Sequence, residues 1–211
     1  MSAYISRLKR SITEKVRFKP PSELSPDDVF TLLHGAYLLQ MRSVGITTAL
    51  DDVTVDKIQS ATKWLINGKY GLILQGVKGT GKTTLAFALM EVINALGYSV
   101  YEDERHQCYS CHAKDLERFI KDDVTWKFWI RCECLVIDDP GATDSETVKV
   151  WGNCQSPFVE MINYRYSMRL LTIITTNLTD EQLLAKYGER TTDRLKELCD
   201  KIVYKQRSYR K

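Results

Sequence analysis

One segment constrains this chain more than any other: Gly76-Val77-Lys78-Gly79-Thr80-Gly81-Lys82-Thr83. It fits the pattern G-x-x-x-x-G-K-[ST], and its flanks suit that pattern. The apolar run over residues 71–75 reads as a buried strand. After the motif, Leu85, Leu89, Val92, Ile93 and Leu96 form one helical face, and Gly97 supplies a stop. The glycines let successive backbone N–H groups curl round a phosphate, because no Cβ blocks the approach. The start of the helix adds partial positive charge. Spacing assigns Lys82 to the β- and γ-phosphates, the Thr83 hydroxyl to Mg²⁺ and Thr84 to the α-phosphate. The ligand implied is ATP with magnesium.

A second element is Cys134-Leu135-Val136-Ile137-Asp138-Asp139. An apolar strand ending in two acids sets carboxylates at the carboxyl edge of a sheet, beside the phosphate loop. Asp138 is the expected Mg²⁺ partner. Asp139 is placed to orient or deprotonate an attacking water. One acid alone would read as an ordinary cap for the next helix. A third element, Leu170 to Asn177, is a buried strand with a polar end, from which Asn177 is in reach of the γ-phosphate or the water.

The remaining pattern alternates helices with strands. Ser25 and Pro26 open a helix that runs to near Met41, with Phe30, Leu33, Ala36, Tyr37, Gln40 and Met41 at helical spacing. A second helix covers 55–66, its inner face Ile58, Ala61, Trp64 and Leu65. Strands are expected at 98–101, 108–112, 135–137, 170–175 and 201–205. Further helices are expected at 113–121, 157–168, 181–187 and 191–198, the 157–168 helix facing in with Phe158, Met161, Ile162 and Tyr166. Such alternation predicts an α/β fold with a parallel sheet covered on both faces.

Composition narrows the class. The 211 residues are 44% hydrophobic and 27% charged, which excludes a disordered chain. The net charge of +3 is too small to announce a nucleic-acid binder. Residues 1–20 carry Arg7, Lys9, Arg10, Lys15, Arg17 and Lys19, with no apolar core of a signal peptide. That arm reads as a solvated tail, or as an arm touching nucleic acid or a partner. No stretch reaches membrane-spanning length. Six cysteines without a secretory signal suggest reduced thiols in the cytoplasm.

Taken in order, the motifs resemble the AAA+ ATPases of the bacterial helicase-loader group, which takes in DnaC and the transposition helper IstB. The resemblance is carried by Gly76 to Thr83, Val136 to Asp139, Thr172 to Leu178, Tyr187-Gly188-Glu189-Arg190 and Asp193-Arg194-Leu195. Asn163 to Tyr166 and the tail Ser208-Tyr209-Arg210 also fit. It implies a P-loop NTPase domain at 51–211 without a helical lid, preceded at 1–50 by the basic arm and a short helical extension. It implies Asn177 as the γ-phosphate sensor and Arg194 as an arginine finger acting on a neighbour's nucleotide, with Arg190 second. Surface ion pairing is the plainer reading of both arginines. The function implied is a slow ATPase that loads a hexameric replicative helicase, assembles with ATP and touches single-stranded DNA. A transposase helper, a nucleotide-binding scaffold and a small-molecule kinase are the rivals, although nothing here reads as a kinase's lid or acceptor pocket.

Two weaker groupings remain. Cys108-x-x-Cys111-His112 and Cys132-x-Cys134 would fall on adjacent strands, so a four-thiolate zinc site is conceivable beside the reading of cysteine as apolar filler. Trp126, Lys127, Phe128, Trp129 and Arg131 mix aromatics with cations, as a base-stacking surface does. The plainer reading is a strand or turn that packs its aromatics inward.

Overall fold

A computed structural model describes residues 17–97, 107–141, 148–150 and 153–205. The strand expected at 98–101, the 208–210 tail and the arm up to residue 16 lie outside the described residues.

The described residues open with helix α1 (Pro26–Ser43) and helix α2 (Asp52–Asn67). Ser25 and Asp28 form a capping box at the start of α1, with Pro26 in the first turn. Strand β1 (Gly71–Gly76) leads through the glycine-rich loop into α3 (Lys82–Ala95). Then come β2 (Cys108–His112), a 3₁₀ turn (Ala113–Asp115), α4 (Leu116–Phe119), α5 (Asp123–Arg131) and β3 (Cys134–Asp138). A small antiparallel hairpin, β4 (Val148–Val150) with β5 (Asn153–Gln155), precedes α6 (Pro157–Met168). Strand β6 (Leu171–Thr176), α7 (Asp180–Tyr187), α8 (Glu189–Leu198) and β7 (Cys199–Tyr204) complete the described chain.

Among the described residues, five long strands form one parallel sheet in the order β2-β3-β6-β1-β7. Alternation along each strand feeds two cores. Leu72, Leu74, Val136, Ile173 and Ile202 meet α1, α2 and α3 on one face. Ile73, Leu135, Ile137 and Ile174 meet the helices α4 to α8 on the other. Val29, Leu33, Tyr37 and Met41 of α1 share the first core with Leu72 and Leu85, so the N-terminal helix packs into the nucleotide domain.

Three local readings change. Residues 123–131 are a helix, not a strand or turn: Asp122 caps it through Thr125 N–H. Two of its three aromatics pack inward. Trp129 stacks on Phe119 at 4.9 Å and meets Tyr109 edge-on, and Trp126 is half-buried. Phe128 alone of the three is exposed, at 47%. Second, the cysteines do not converge. Cys108 and Cys134 are register partners in one core, whereas Cys111 and Cys132 lie with the other. The sheet divides the four, and no metal-ligating cluster exists among the described residues. Burial pushes the Cys111 thiol up to about 12, far from a thiolate ligand. Third, Arg17 is no solvated tail residue. Its guanidinium donates to the carbonyls of Leu65, Trp64 and Lys69 at the end of α2 and lies over the Trp64 ring.

Candidate nucleotide site

The sheet order places the ends of β1, β6 and β3 side by side, and the polar residues gather there. Register aligns Asp138 of β3 with Thr175 of β6, and Thr175 with Leu74 of β1. The glycine-rich loop begins where β1 ends. Gly76, Gly79 and Gly81 all take positive φ, and Gly81 at +88° forms the turn into α3. A Cβ on Gly81 would lie 2.5 Å from the Tyr37 hydroxyl of α1. Gly76 is closed in by Tyr204 of β7 in the same way. Val77 and Lys78 stand exposed at the loop's tip, and Thr80 is buried, its hydroxyl donating to Val77 O at 2.9 Å.

Lys82 is 6% exposed. Its Nζ donates to Val77 O at 2.8 Å and to Asn177 Oδ1 at 2.9 Å. Asn177 Nδ2 in turn donates to Asp139 Oδ1 at 2.6 Å. The cation, the amide and the carboxylate therefore form one chain across the sheet edge. A second chain runs beside it. The hydroxyls of Thr83 and Thr175 both donate to Asp138 Oδ1, at 2.9 and 2.5 Å. Thr84 is half-buried in the first turn of α3. Asp139 sits at φ +56°, a left-handed conformation that aspartate tolerates better than most residues. That bend lets its N–H reach both Thr175 O and Thr175 Oγ1 at 3.1 Å.

Below the loop, Gln75 Nε2 donates to Leu178 O and to Asp180 Oδ1. Lys201, and then Gln75, hold the Asp180 carboxyl below the usual carboxylate range. The two candidate arginines stand apart from this cluster. Arg194 on α8 is half-buried, donates to Asn163 Oδ1 and lies 5.4 Å over the Tyr166 ring, both on α6. Arg190, in the first turn of α8, is exposed.

These residues fit a magnesium nucleotide. The loop takes positive φ at Gly76, Gly79 and Gly81, the backbone curl that turns successive N–H groups toward an anion. A hydroxyl and a carboxylate on adjoining elements make a hard-oxygen donor pair of the kind Mg²⁺ takes. The partners of Lys82 in the loop and at Asn177 are neutral oxygens, the positions that phosphate oxygens would take over.

The sequence model of the family described as "IstB-like ATP binding protein" matches residues 39–211. The chain belongs to that family. As an IstB-like ATP-binding protein it also shares its fold with solved AAA+ structures. The DnaC helicase loader is similar at 24% identity with a TM-score of 0.56, over 75% of this chain and 94% of that one. DnaI is similar at 22% identity and a TM-score of 0.52, over 74% and 87%. AMPPCP-bound DnaA from Aquifex aeolicus follows at 14% identity and a TM-score of 0.51, over 74% of this chain and 48% of that one. No curated protein matches the chain. For this family member the P-loop and the α/β AAA+ architecture expected from the sequence stand. No described helix is long and apolar enough to cross a membrane.

Sequence reasoning missed two residues of this site and one at the far end of the same strands. Thr175 reads as an ordinary β-former within a strand, yet it touches both acids. Tyr37 reads as core, and its hydroxyl closes on the loop. Arg165 is fully buried and ties α6 to the opposite ends of β3 and β6 through Cys132 O and Leu171 O.

Proposed function

We propose that this protein binds ATP with Mg²⁺, hydrolyses it slowly, and uses its nucleotide state to load a hexameric replicative helicase. The observation that carries the hydrolytic part is the chain Lys82–Asn177–Asp139 beside the pair Thr83–Asp138. Lys82 and the loop N–H groups hold the phosphates. Thr83 and Asp138 would hold the metal, which would supply charge neutralisation to the phosphates. Asp139 accepts the proton of the attacking water, and Asn177 orients that water and reads the γ-phosphate. Aspartate is a short reach for a general base, which accords with slow turnover in the cytoplasm, raised by partners.

Likeness to the DnaC loader over nearly all of that chain supports a helicase as client. The IstB-like family match favours a transposase as the second reading. An arginine finger supplied by a neighbouring subunit would couple turnover to ATP-driven self-assembly and is worth about 10³–10⁵ in rate. Arg194 would have to leave Asn163 and Tyr166 to serve, whereas Arg190 is already exposed. Single-stranded DNA is a candidate partner through Lys127, Phe128 and Arg131, exposed residues of α5.

The test mixes the purified protein with the helicase, and separately with a transposase, from one host. An ATP-dependent complex with the helicase and faster hydrolysis are expected. A complex with the transposase alone selects the second reading. Tight ATP binding without turnover in any mixture would leave a scaffold.

A further inference from the structure

We infer that Thr175 is a positioning residue for the metal-holding carboxylate, so that this one hydroxyl sets the magnesium dependence of nucleotide binding. The inference rests on the nucleotide-site reading above and deepens it.

Thr175 is 1% exposed and lies directly opposite Asp138 in the parallel ladder. A hydroxyl has one proton to give and two lone pairs to receive. Here the proton goes to Asp138 Oδ1 at 2.5 Å, and the N–H of Asp139 donates to the oxygen at 3.1 Å. The same Oδ1 accepts from Thr83 at 2.9 Å. Two O–H donors therefore fix one oxygen of Asp138, one from the nucleotide helix and one from the sheet. With both donors on Oδ1, we assign the other oxygen, Oδ2, to the metal or its water. The Thr83 oxygen can ligate a metal while its O–H still points at Asp138, so the two contacts are compatible with a loaded site. The Thr175 bond is the rigid one, because its donor sits in a central strand that does not depend on the ligand. Val at this position keeps the shape and β-preference of threonine and removes both hydrogen-bonding functions.

The experiment measures ATP affinity in EDTA and again in saturating Mg²⁺, for the parent, Thr175→Val and Thr175→Ser. In the parent, magnesium should raise affinity. Thr175→Val should keep the EDTA affinity of the parent and lose about ten-fold of the magnesium gain, the effect of one hydrogen bond to a charged group. Thr175→Ser should restore the gain. Thr175→Ala serves as the second variant if Thr175→Val does not fold. The proposal is overturned if the magnesium gain of the hydroxyl-less variant stays within about two-fold of the parent. It is overturned equally if EDTA affinity falls in step, or if neither variant folds. A parent indifferent to magnesium would instead sink the nucleotide-site reading, and this inference with it.

Discussion

Replacing Arg165 with leucine should destabilise the fold severely while leaving the nucleotide site chemically complete. Arg165 is fully buried, and its guanidinium donates to Thr172 Oγ1 at 2.9 Å, Cys132 O at 2.7 Å and Leu171 O at 2.7 Å. Leucine fills much of the volume but offers no donor. Each buried acceptor that loses its donor costs about 1–3 kcal/mol. Against that stands relief of the guanidinium's desolvation, which offsets part of the loss. The net expectation is about 3–5 kcal/mol, three lost hydrogen bonds less the desolvation relief. For a domain of this size that lowers Tm by about 6–20 °C, at roughly 2–4 °C per kcal/mol. Urea denaturation followed by circular dichroism gives the free energy directly, and Arg165→Lys should recover little, since an ammonium cannot span three acceptors in a plane. ATP affinity at low temperature should match the parent, because Arg165 binds the end of the strands away from the acids. A loss below about 1 kcal/mol would refute the reasoning and show that the buried guanidinium does no net structural service.

Further outcomes follow from the same geometry. Gly81→Ala should lower ATP affinity by about ten-fold or more, because φ is +88° and the new methyl meets the Tyr37 hydroxyl; isothermal titration checks it, and unchanged affinity would mean the loop has slack. Alkylation of the native protein at pH 8 should spare Cys111 and Cys199, whose thiols burial holds near 12, and mass spectrometry after partial denaturation should show both reacting; prompt native labelling would contradict their burial. One of Arg194→Ala and Arg190→Ala should abolish the rise of specific turnover with protein concentration, and Arg194→Ala should also lower Tm; a rise kept in both variants refutes an arginine finger on α8.

The sequence was most legible where one residue type has one use. The P-loop glycines, Lys82 and Thr83 sit in a pattern that only phosphate binding explains, and the buried runs around Val136 and Ile173 announce parallel strands. Helix α6 was found with its bounds because Pro157 opens it and Phe158, Met161 and Ile162 keep its period. Helix α5 escaped because three aromatics in four residues suit a strand as well as a helix, and only the Asp122 cap decides it. The cysteine grouping misled because sequence spacing does not say which side of a sheet a residue faces. Cys108 and Cys111 are an odd number apart, and the pleat sends them to opposite cores. The Thr175 contacts were invisible for a different reason: they depend on the register of β3 against β6, which one strand's composition does not encode.

The central claim is that one cluster at the sheet edge both binds and hydrolyses ATP. Its most direct test compares ATP affinity and single-turnover hydrolysis for the parent, Lys82→Ala and Asp139→Asn, with melting curves as a fold control. Lys82→Ala should lose ATP binding, and Asp139→Asn should keep affinity while hydrolysis falls by about 10²-fold or more. ATP affinity unchanged in Lys82→Ala, or parental hydrolysis in Asp139→Asn, would contradict it.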